Sequence, residues 1–328
     1  MDTQPTFIST GALPSRDEVR ALVETAYVRF RNERTGAVAD YIPALAEADP
    51  AAFGICLANT RGETFALGDA EQPFSIQSVS KPFAFALVCD ALGAEEASGR
   101  LGVDATGLPF NSIMAVELRA DRTTNPMVNS GAIATTSLMP GKTGQERWQN
   151  VRDGLSRFAG RALGFDERVY LSEAATNQRN AGLAHLLRGY GRLFCDPDEA
   201  TDVYTRQCSL LVTARDLAVM GATLASGGVN PVTGEQVVSP DTCRRVLAVM
   251  ATAGLYERSG QWLFDVGLPG KSGVSGGIVT VSPGKGAVAT YSPPLDVAGN
   301  SVRGQLVTRF LSERLGLNLF VSAPAART

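Results

Sequence analysis

The sequence predicts an α+β (α/β) protein in which one antiparallel sheet is built from both ends of the chain. Three observations carry this prediction. Runs rich in β-formers and bounded by turn residues occur at 53–67 and again at 278–291, whereas the stretch between them repeats apolar residues at helical spacing. The predicted division is a loose tail over 1–16, a sheet domain over 17–80 plus 255–328, and a mainly helical domain over 81–254. A candidate site is expected where the two domains meet.

The first elements follow from periodicity and turn chemistry. The spacing of Val19, Leu22, Val23, Ala26 and Phe30 predicts an amphipathic helix over residues 17–31. Residues 53–57 and 64–67, separated by the turn 59–62, predict a β-hairpin. The next predicted element is a helix over residues 81–93.

The remaining elements follow from glycine breaks and a second tight turn. Residues 111–251 have a mostly helical pattern, with breaks at Gly191, at Gly227 and Gly228, and at Gly254. Residues 278–282 and 287–291 flank a Pro-Gly-Lys-Gly turn and predict a second hairpin. A closing helix is predicted over residues 301–315, before Gly316.

Composition excludes several classes of function. The 328 residues carry a net charge of −3 and 19% charged side chains, which is a poor basis for electrostatic binding of nucleic acid. Apolar runs such as 83–89 are far shorter than the roughly 20 residues of a membrane helix, so no membrane partner is expected. No signal-peptide pattern is read at the N-terminus. Five scattered cysteines without a CxxC indicate reduced thiols and a cytoplasmic location. The single histidine, His185, excludes a multi-histidine zinc site.

The scarcity of lysine directs attention to one motif. Lysines make up four of the 30 basic side chains: Lys81, Lys142, Lys271 and Lys285. Arginine stays protonated in proteins, so a position that keeps lysine can supply a neutral amine. In Ser78-Val79-Ser80-Lys81, a residue and the one three positions later share a helix face, which places an amine beside a hydroxyl. The amine can activate the hydroxyl if burial or a nearby cation depresses its pKa. The competing interpretation is a coincidental surface pair.

A second motif strengthens the first. Lys271-Ser272-Gly273 precedes further small residues that let backbone approach a ligand closely. A K-[ST]-G strand beside an S-x-x-K helix is the arrangement of penicillin-recognising serine hydrolases. A backbone N–H at this strand can form half of an oxyanion hole. The competing interpretation is a plain glycine-rich turn.

Two other motifs are interpreted as decoys. Ser282-Pro283-Gly284-Lys285 is a second S-x-x-K, but Pro-Gly predicts a hairpin turn that does not hold the two side chains on one face. The segments 270–272 and 141–143 end like phosphate-binding P-loops. In each, the first glycine of that motif is replaced, by Asp265 and Thr136 respectively. A nucleotide-binding function is therefore disfavoured.

From about Tyr41 to Phe320 the chain resembles the bacterial-type, serine-dependent glutaminases. Ser130 stands where alanine is expected, and 119–124 is unusually charged, but neither change removes a residue with an expected role. The resemblance is carried by the following ordered segments: Tyr41-Ile42-Pro43, Gly68-Asp69, 74–81, Phe110-Asn111-Ser112, Asn125-Pro126, 129–133, Arg179-Asn180, Tyr204 with Gln207-Cys208-Ser209, 271–277, 283–286, 292–296 and Gly299-Asn300-Ser301.

The resemblance implies a β-lactamase/penicillin-binding (transpeptidase-like) fold and hydrolysis of L-glutamine to L-glutamate and ammonia. It also implies that the enzyme needs no metal or organic cofactor and assembles as a homodimer or homotetramer. By the match, Ser78 is the nucleophile, Lys81 the general base, and Tyr204 with Tyr256 relays protons. The Ser78 and Val274 N–H groups form the oxyanion hole. The residues expected to hold the substrate's amino-acid head group are Asn129, Glu173, Asn180 and, lining the same pocket, Tyr41.

Two alternatives to this interpretation stay open. One is a β-lactamase or peptidase of the same fold, although those enzymes usually carry an export signal. The other is a non-catalytic amino-acid-binding protein, which would tolerate loss of Ser78, Lys81 or Tyr204, yet all three are present. Ammonia release from glutamine, compared with hydrolysis of a β-lactam, separates all three.

Overall fold

A computed structural model describes residues 14–321, so most of the predicted N-terminal tail lies outside the described residues. Three short 3-10 helices occupy Pro43–Glu47, Gln77–Ser80 and Tyr256–Arg258. The α-helices in the described part are α1 Arg16–Phe30, α2 Lys81–Leu92, α3 Ala94–Leu101, α4 Met114–Glu117, α5 Asn129–Ser137, α6 Gly144–Ala159, α7 Glu167–Thr176, α8 Gln178–Gly189, α9 Pro197–Cys208, α10 Ala214–Ala225, α11 Pro240–Ala253, α12 Ser259–Val266 and α13 Val302–Arg314.

The strands form two sheets in which all paired strands are antiparallel. The larger sheet has the order β2-β1-β8-β7-β6 and the smaller one the order β3-β5-β4. The strands are β1 Gly54–Asn59, β2 Thr64–Gly68, β3 Phe74–Ser75, β4 Gly164–Phe165, β5 Leu210–Val212, β6 Gly270–Ser272, β7 Gly277–Ser282 and β8 Gly286–Tyr291. The larger sheet therefore joins the two ends of the chain, which confirms the predicted fold class.

The local predictions at both ends of the chain are confirmed. Helix α1 begins one residue earlier than expected because Ser15 accepts from the Glu18 N–H and Glu18 reaches back, forming a capping box. The two predicted hairpins are β1–β2 and β7–β8. Strand β1 pairs with β8 in a register that places Leu57 opposite Val288, which joins the two hairpins into one sheet.

Helices cover both faces of the larger sheet. One face packs against α1 and α13, through residues such as Val23 and Leu311. The other face packs against α10, which approaches closely because position 221 is glycine. The predicted division into two domains stays a prediction, because α10 and α11 belong to the segment 81–254 and yet contact strands of the larger sheet.

The small sheet was not predicted, because its strands are only two or three residues long. Such runs carry no readable periodicity. Strand β3 pairs with β5, so Phe74 lies opposite Val212 and the segment that leads into Ser78 is fixed against the helical region.

The second S-x-x-K, Ser282–Lys285, and the candidate P-loop at 141–143 both make structural contacts. At the β7–β8 turn the Lys285 N–H donates to the Ser282 carbonyl, while the Lys285 Nζ donates to the Gly316 carbonyl. At the second candidate P-loop, the Thr143 hydroxyl caps α6 and a carboxylate oxygen of Glu199 accepts from the Gly144 N–H. A side-chain carboxylate thus occupies the helix N-terminus that a phosphate would need.

No helix among residues 14–321 is both long enough and apolar enough to cross a membrane. All five cysteines are free thiols, four of them buried and Cys195 partly exposed.

The close approach of α10 to the sheet generates a stability prediction. A Cβ at position 221 would lie 2.6 Å from the Ala287 Cβ and 2.7 Å from the Val279 Cγ2. Gly221→Ala should therefore destabilise the fold by about 1–3 kcal/mol through overpacking. Gly182→Ala in α8 is the matched control: its Cβ meets no atom within 4 Å, and it should stabilise by about 0.5–1 kcal/mol. Urea unfolding of both variants checks the prediction, and equal shifts would contradict it.

Candidate active site

The S-x-x-K segment lies where a 3-10 helix runs directly into an α-helix. The 3-10 helix contains Ser78, and Lys81 is the first residue of α2. The Lys81 backbone N–H donates to the Ser78 carbonyl, so the two residues are one turn apart. Pro82 is tolerated in the first turn of α2, where a backbone N–H has no intrahelical acceptor. Both functional side chains are buried, with Ser78 6% and Lys81 1% exposed.

The hydrogen-bond acceptors of the Lys81 amine are neutral oxygens in the part of the chain that the structure describes. Its Nζ donates to the Asn129 Oδ1 at 2.7 Å and to the Met127 carbonyl at 3.4 Å. Among residues 14–321, neither a carboxylate nor the Ser78 Oγ is a hydrogen-bond partner of this amine. Burial lowers the pKa of Lys81 to about 8, because desolvation disfavours the charged form. The amine therefore loses its proton much more easily than an exposed lysine.

Asn129 connects the amine to two other expected site residues. Its Oδ1 also accepts from the Tyr204 hydroxyl at 3.3 Å, and its Nδ2 donates to the Asn180 Oδ1 at 3.0 Å. These side chains come from α5, α9 and α8 respectively. Burial raises the pKa of Tyr204 well above its ordinary value, so the hydroxyl remains protonated and able to donate.

Glu173 is a buried carboxyl with a single side-chain hydrogen-bond partner among residues 14–321. Its Oε2 accepts from the Gln77 Nε2 at 3.1 Å. Burial raises the pKa of Glu173 to about 7, while the hydrogen bond from Gln77 and the nearby Lys81 oppose the rise. Gln77, which precedes Ser78, was not singled out from the sequence, since nothing local marks its side chain as a partner of α7.

One wall of the site, called the strand wall here, is formed by strand β6, the loop that follows it and the 3-10 helix at Tyr256. The Tyr256 hydroxyl donates to the Ser272 carbonyl at 3.2 Å. Burial raises the pKa of Tyr256 to about 12, although the contacts with Ser78 and Ser272 lower it. Tyr256 has φ +56°, a left-handed conformation that is uncommon for an aromatic residue. Gln77, on the opposite wall, has φ +49°.

The loop after β6 packs directly on the backbone around Ser78. The Ser275 hydroxyl donates to the Ser75 carbonyl at 2.6 Å. A Cβ at Gly273 would lie 3.1 Å from the Ile76 carbonyl oxygen, so this approach favours glycine. Val274 is buried, and its backbone N–H has no hydrogen-bond partner among residues 14–321. It remains available for an acceptor placed in the site.

Tyr41 lies at the edge of this arrangement and is 52% exposed. The 3-10 helix that follows it contacts α7, where the Ala44 N–H donates to the Ser172 hydroxyl, the neighbour of Glu173. The structure groups the expected site residues in four places. Hydrogen bonds join Lys81, Asn129, Asn180 and Tyr204. Glu173 pairs with Gln77, Tyr256 and Val274 belong to the strand wall, and Tyr41 lies at the rim.

Comparison with known proteins identifies the family. The family model described as glutaminase matches residues 36–320. The chain is 59% identical over 318 residues to glutaminase 2 of Yersinia pestis, covering 97% of this chain and 94% of the relative. The chain belongs to the glutaminase family. It is also 48% identical to a glutaminase of Colwellia psychrerythraea, covering 94% of this chain and 99% of that one. These matches confirm the predicted enzyme class, an amidohydrolase that acts on glutamine.

Solved structures agree with the sequence matches. A probable glutaminase, ybaS, superposes with a TM-score of 0.93 at 42% identity, covering 94% of this chain and all of that one. A covalent complex of the Bacillus subtilis glutaminase YbgJ with 5-oxo-L-norleucine superposes with a TM-score of 0.79 at 30% identity, covering 93% and 98%. The fold is accordingly the serine β-lactamase-like fold of the glutaminases, as the resemblance implied.

The contact between Gln77 and Glu173 generates a prediction about protonation. Since that hydrogen bond favours the ionised carboxylate, Gln77→Leu should raise the pKa of Glu173 above its value of about 7. The titration of the side-chain carboxyl can be followed by ¹³C NMR, with Glu173→Gln used to assign the signal. Gln178→Leu, at an exposed position on α8, is the matched control and should leave the titration unchanged. An unaltered pKa in Gln77→Leu would contradict the contact.

Proposed function

We propose that this glutaminase works through a serine nucleophile, Ser78, that is activated by the neutral amine of Lys81. The observation that carries the proposal is the burial of that amine beside Ser78 with only neutral oxygens as partners. A serine hydroxyl becomes a strong nucleophile only when a base removes its proton. The Lys81–Ser78 hydrogen bond is not formed in the free enzyme, and such bonds often tighten only when substrate is bound.

In the proposed reaction, the Ser78 Oγ bonds the side-chain amide carbon of glutamine while its proton passes to the Lys81 Nζ. The developing oxyanion accepts from the N–H groups of Ser78 and Val274. The C–N bond then breaks, and the departing nitrogen takes a proton to leave as ammonia. Water attacks the resulting γ-glutamyl ester with the same base, which releases glutamate and regenerates Ser78.

The tyrosines would carry protons between these groups. The Tyr204 hydroxyl and the Lys81 amine donate to the same Asn129 Oδ1, which holds the two groups side by side. The Tyr256 hydroxyl donates to the Ser272 carbonyl, and the loop that follows Ser272 packs on the backbone around Ser78. In this scheme Tyr204 and Tyr256 relay the proton from the Lys81 ammonium to the departing nitrogen. Each phenol accepts one proton and gives up one, so the base and both tyrosines return to their starting forms.

The head group of glutamine would be held by the polar set beside the dyad. Glu173 supplies a carboxylate for the ammonium, and Asn129 and Asn180 supply amide donors for the carboxylate. Gln77 orients Glu173, and Tyr41 closes the rim. A homodimer or homotetramer and a cytoplasmic location remain predictions; sedimentation measures the former.

The covalent step generates the first functional prediction. The covalent complex of the Bacillus subtilis relative was formed by reaction with 6-diazo-5-oxo-L-norleucine, a glutamine analogue. With this chain, the same reagent should add one covalent 5-oxo-norleucyl group, seen by mass spectrometry, and Ser78→Ala should abolish both the adduct and glutaminase activity. Ser282→Ala, in the decoy motif, should label and turn over like wild type. Residual activity within a few-fold of wild type in folded Ser78→Ala would refute the assignment.

The base generates a prediction about pH. In the proposed reaction Lys81, with a pKa of about 8, acts only when its amine is neutral. Glu173, with a pKa of about 7, binds the substrate's ammonium only when its carboxyl is ionised. Both groups therefore make kcat/KM rise as pH increases from about 6 to 9.

Lys81→Arg tests the same group directly, because a guanidinium stays protonated throughout this range. Activity should fall by about 10²–10⁴-fold at every pH. Lys285→Arg is the matched control and should keep the wild-type profile. An Lys81→Arg enzyme with most of the wild-type rate would show that the amine acts only through its charge.

The head-group contacts generate a prediction about specificity. Asparagine is one methylene shorter than glutamine, so a clamped head group leaves its amide carbon short of Ser78. Misplacement by about 1 Å costs roughly 10²-fold in rate, so glutamine should be strongly preferred in kcat/KM. Glu173→Gln should raise KM and lower kcat.

The ligand side of the same contact is tested with the des-amino analogue of glutamine, which lacks the ammonium. Wild type and Glu173→Gln should hydrolyse it about equally poorly. If wild type used this amide as well as glutamine, Glu173 would not be the ammonium partner.

A further inference from the structure

The buried amine of Lys271 lies in the strand wall of the site and has no part in the proposed reaction. Lys271 is fully buried in β6. Its Nζ donates to the Gly254 carbonyl at 2.8 Å and to the Ser272 carbonyl at 2.7 Å. A buried amine is retained at a cost unless it is well hydrogen-bonded, so its partners indicate what it holds in place.

All of these partners surround Tyr256. Gly254 ends α11 and lies two residues before Tyr256, and the Ser272 carbonyl also accepts the Tyr256 hydroxyl at 3.2 Å. The Lys271 Nζ lies 4.2 Å from the centroid of the Tyr256 ring. Two of its N–H groups point to carbonyls, and the Nζ lies over the face of the ring. One amine thus contacts the ring, the loop before it and the acceptor of its hydroxyl.

The contacts also fix the direction of the Tyr256 hydroxyl. A carbonyl oxygen can only accept, so the Tyr256 hydrogen goes to the Ser272 carbonyl and the phenol lone pairs are free to accept. Lys271 shares the carbonyl that sets this orientation.

The backbone of Tyr256 needs such support. A φ of +56° is costly for an aromatic residue and persists only where surrounding contacts over-determine it. The Ser259 hydroxyl donates to the Tyr256 carbonyl at 2.8 Å and holds the backbone from one side. The Lys271 amine holds the ring and the preceding loop from β6.

We propose that Lys271 is a positioning residue that fixes the orientation of the Tyr256 hydroxyl. The inference rests on the part given to Tyr256 in the proposed reaction. Without the amine, one face of the ring loses its contact and the Ser272 carbonyl loses its second donor, so the hydroxyl no longer has a single orientation. Its loss should impair the chemical step more than the binding of glutamine.

The test is Lys271→Met, which keeps the length of the side chain and removes its N–H donors. We expect kcat to fall by about 10²-fold, the cost of misplacing a reacting group by about 1 Å, with KM changing far less than kcat. Lys285→Met, at the β7–β8 turn, is the control and should leave both constants unchanged. Wild-type kcat in Lys271→Met would overturn the proposal.

A double-mutant cycle with Tyr256→Phe separates positioning from a general structural effect. If Lys271 acts through the Tyr256 hydroxyl, Lys271→Met should cost almost nothing further in the Tyr256→Phe enzyme. An equal loss in both backgrounds would overturn the proposal. Wild-type activity in Tyr256→Phe alone would refute the role of Tyr256 and the inference with it, whereas Ser78→Ala tests the nucleophile separately. If thermal unfolding shows that Lys271→Met does not fold, Lys271→Gln, which retains an amide donor, enters the same cycle under the same criteria.

Discussion

The site depends on an amine that is kept out of water without a carboxylate partner. Desolvation disfavours the charged form of a lysine, and an adjacent carboxylate would reverse that effect by stabilising the ammonium. In this enzyme the hydrogen-bond acceptors of Lys81 among residues 14–321 are a carboxamide and a carbonyl. Glu173 is close enough to affect the amine but bonds to Gln77 instead. In the proposed reaction, the separation of these two groups allows one to be a base and the other to bind an ammonium.

The hydrogen bond that keeps Glu173 apart from Lys81 is donated by Gln77, whose backbone next to Ser78 is strained. Gln77 reaches Glu173 from a residue with positive φ, and that conformation is fixed from two sides. The Ser80 hydroxyl donates to the Gln77 carbonyl, and the Gln207 side chain of α9 donates in turn to that hydroxyl. Non-glycine residues with positive φ cluster at functional sites because surrounding contacts there can offset the strain. Tyr256, on the opposite wall, is the second example in this site.

The strand wall is held in place by the pairing of strands in the larger sheet. Strand β6 is the edge strand of the larger sheet, and its pairing with β7 fixes the Ser272 carbonyl and the Lys271 amine. The following loop is joined to the nucleophile segment by the bond from Ser275 to the Ser75 carbonyl. This bond joins two distant parts of the chain next to Ser78. The role proposed for Lys271 depends on this arrangement, because the amine would act on the reaction without touching the substrate.

The sequence by itself determined the elements and the key motif, because these depend on neighbours. Turn residues predicted both hairpins, apolar periodicity predicted α1 and α13, and the i, i+3 rule predicted that Ser78 and Lys81 lie together. The Pro-Gly pair correctly marked Ser282 and Lys285 as a turn. The resemblance supplied the family and the expected roles, but not the contacts.

Only the tertiary structure decided which side chains meet. The Lys81 amine bonds Asn129, 48 residues away, and Gln77 bonds Glu173, 96 residues away. No local pattern encodes such pairs, because they arise from the packing of helices whose relative positions depend on the whole core. The depth of burial that lowers the pKa of Lys81, and the contacts that Lys271 makes around Tyr256, are likewise properties of the closed fold.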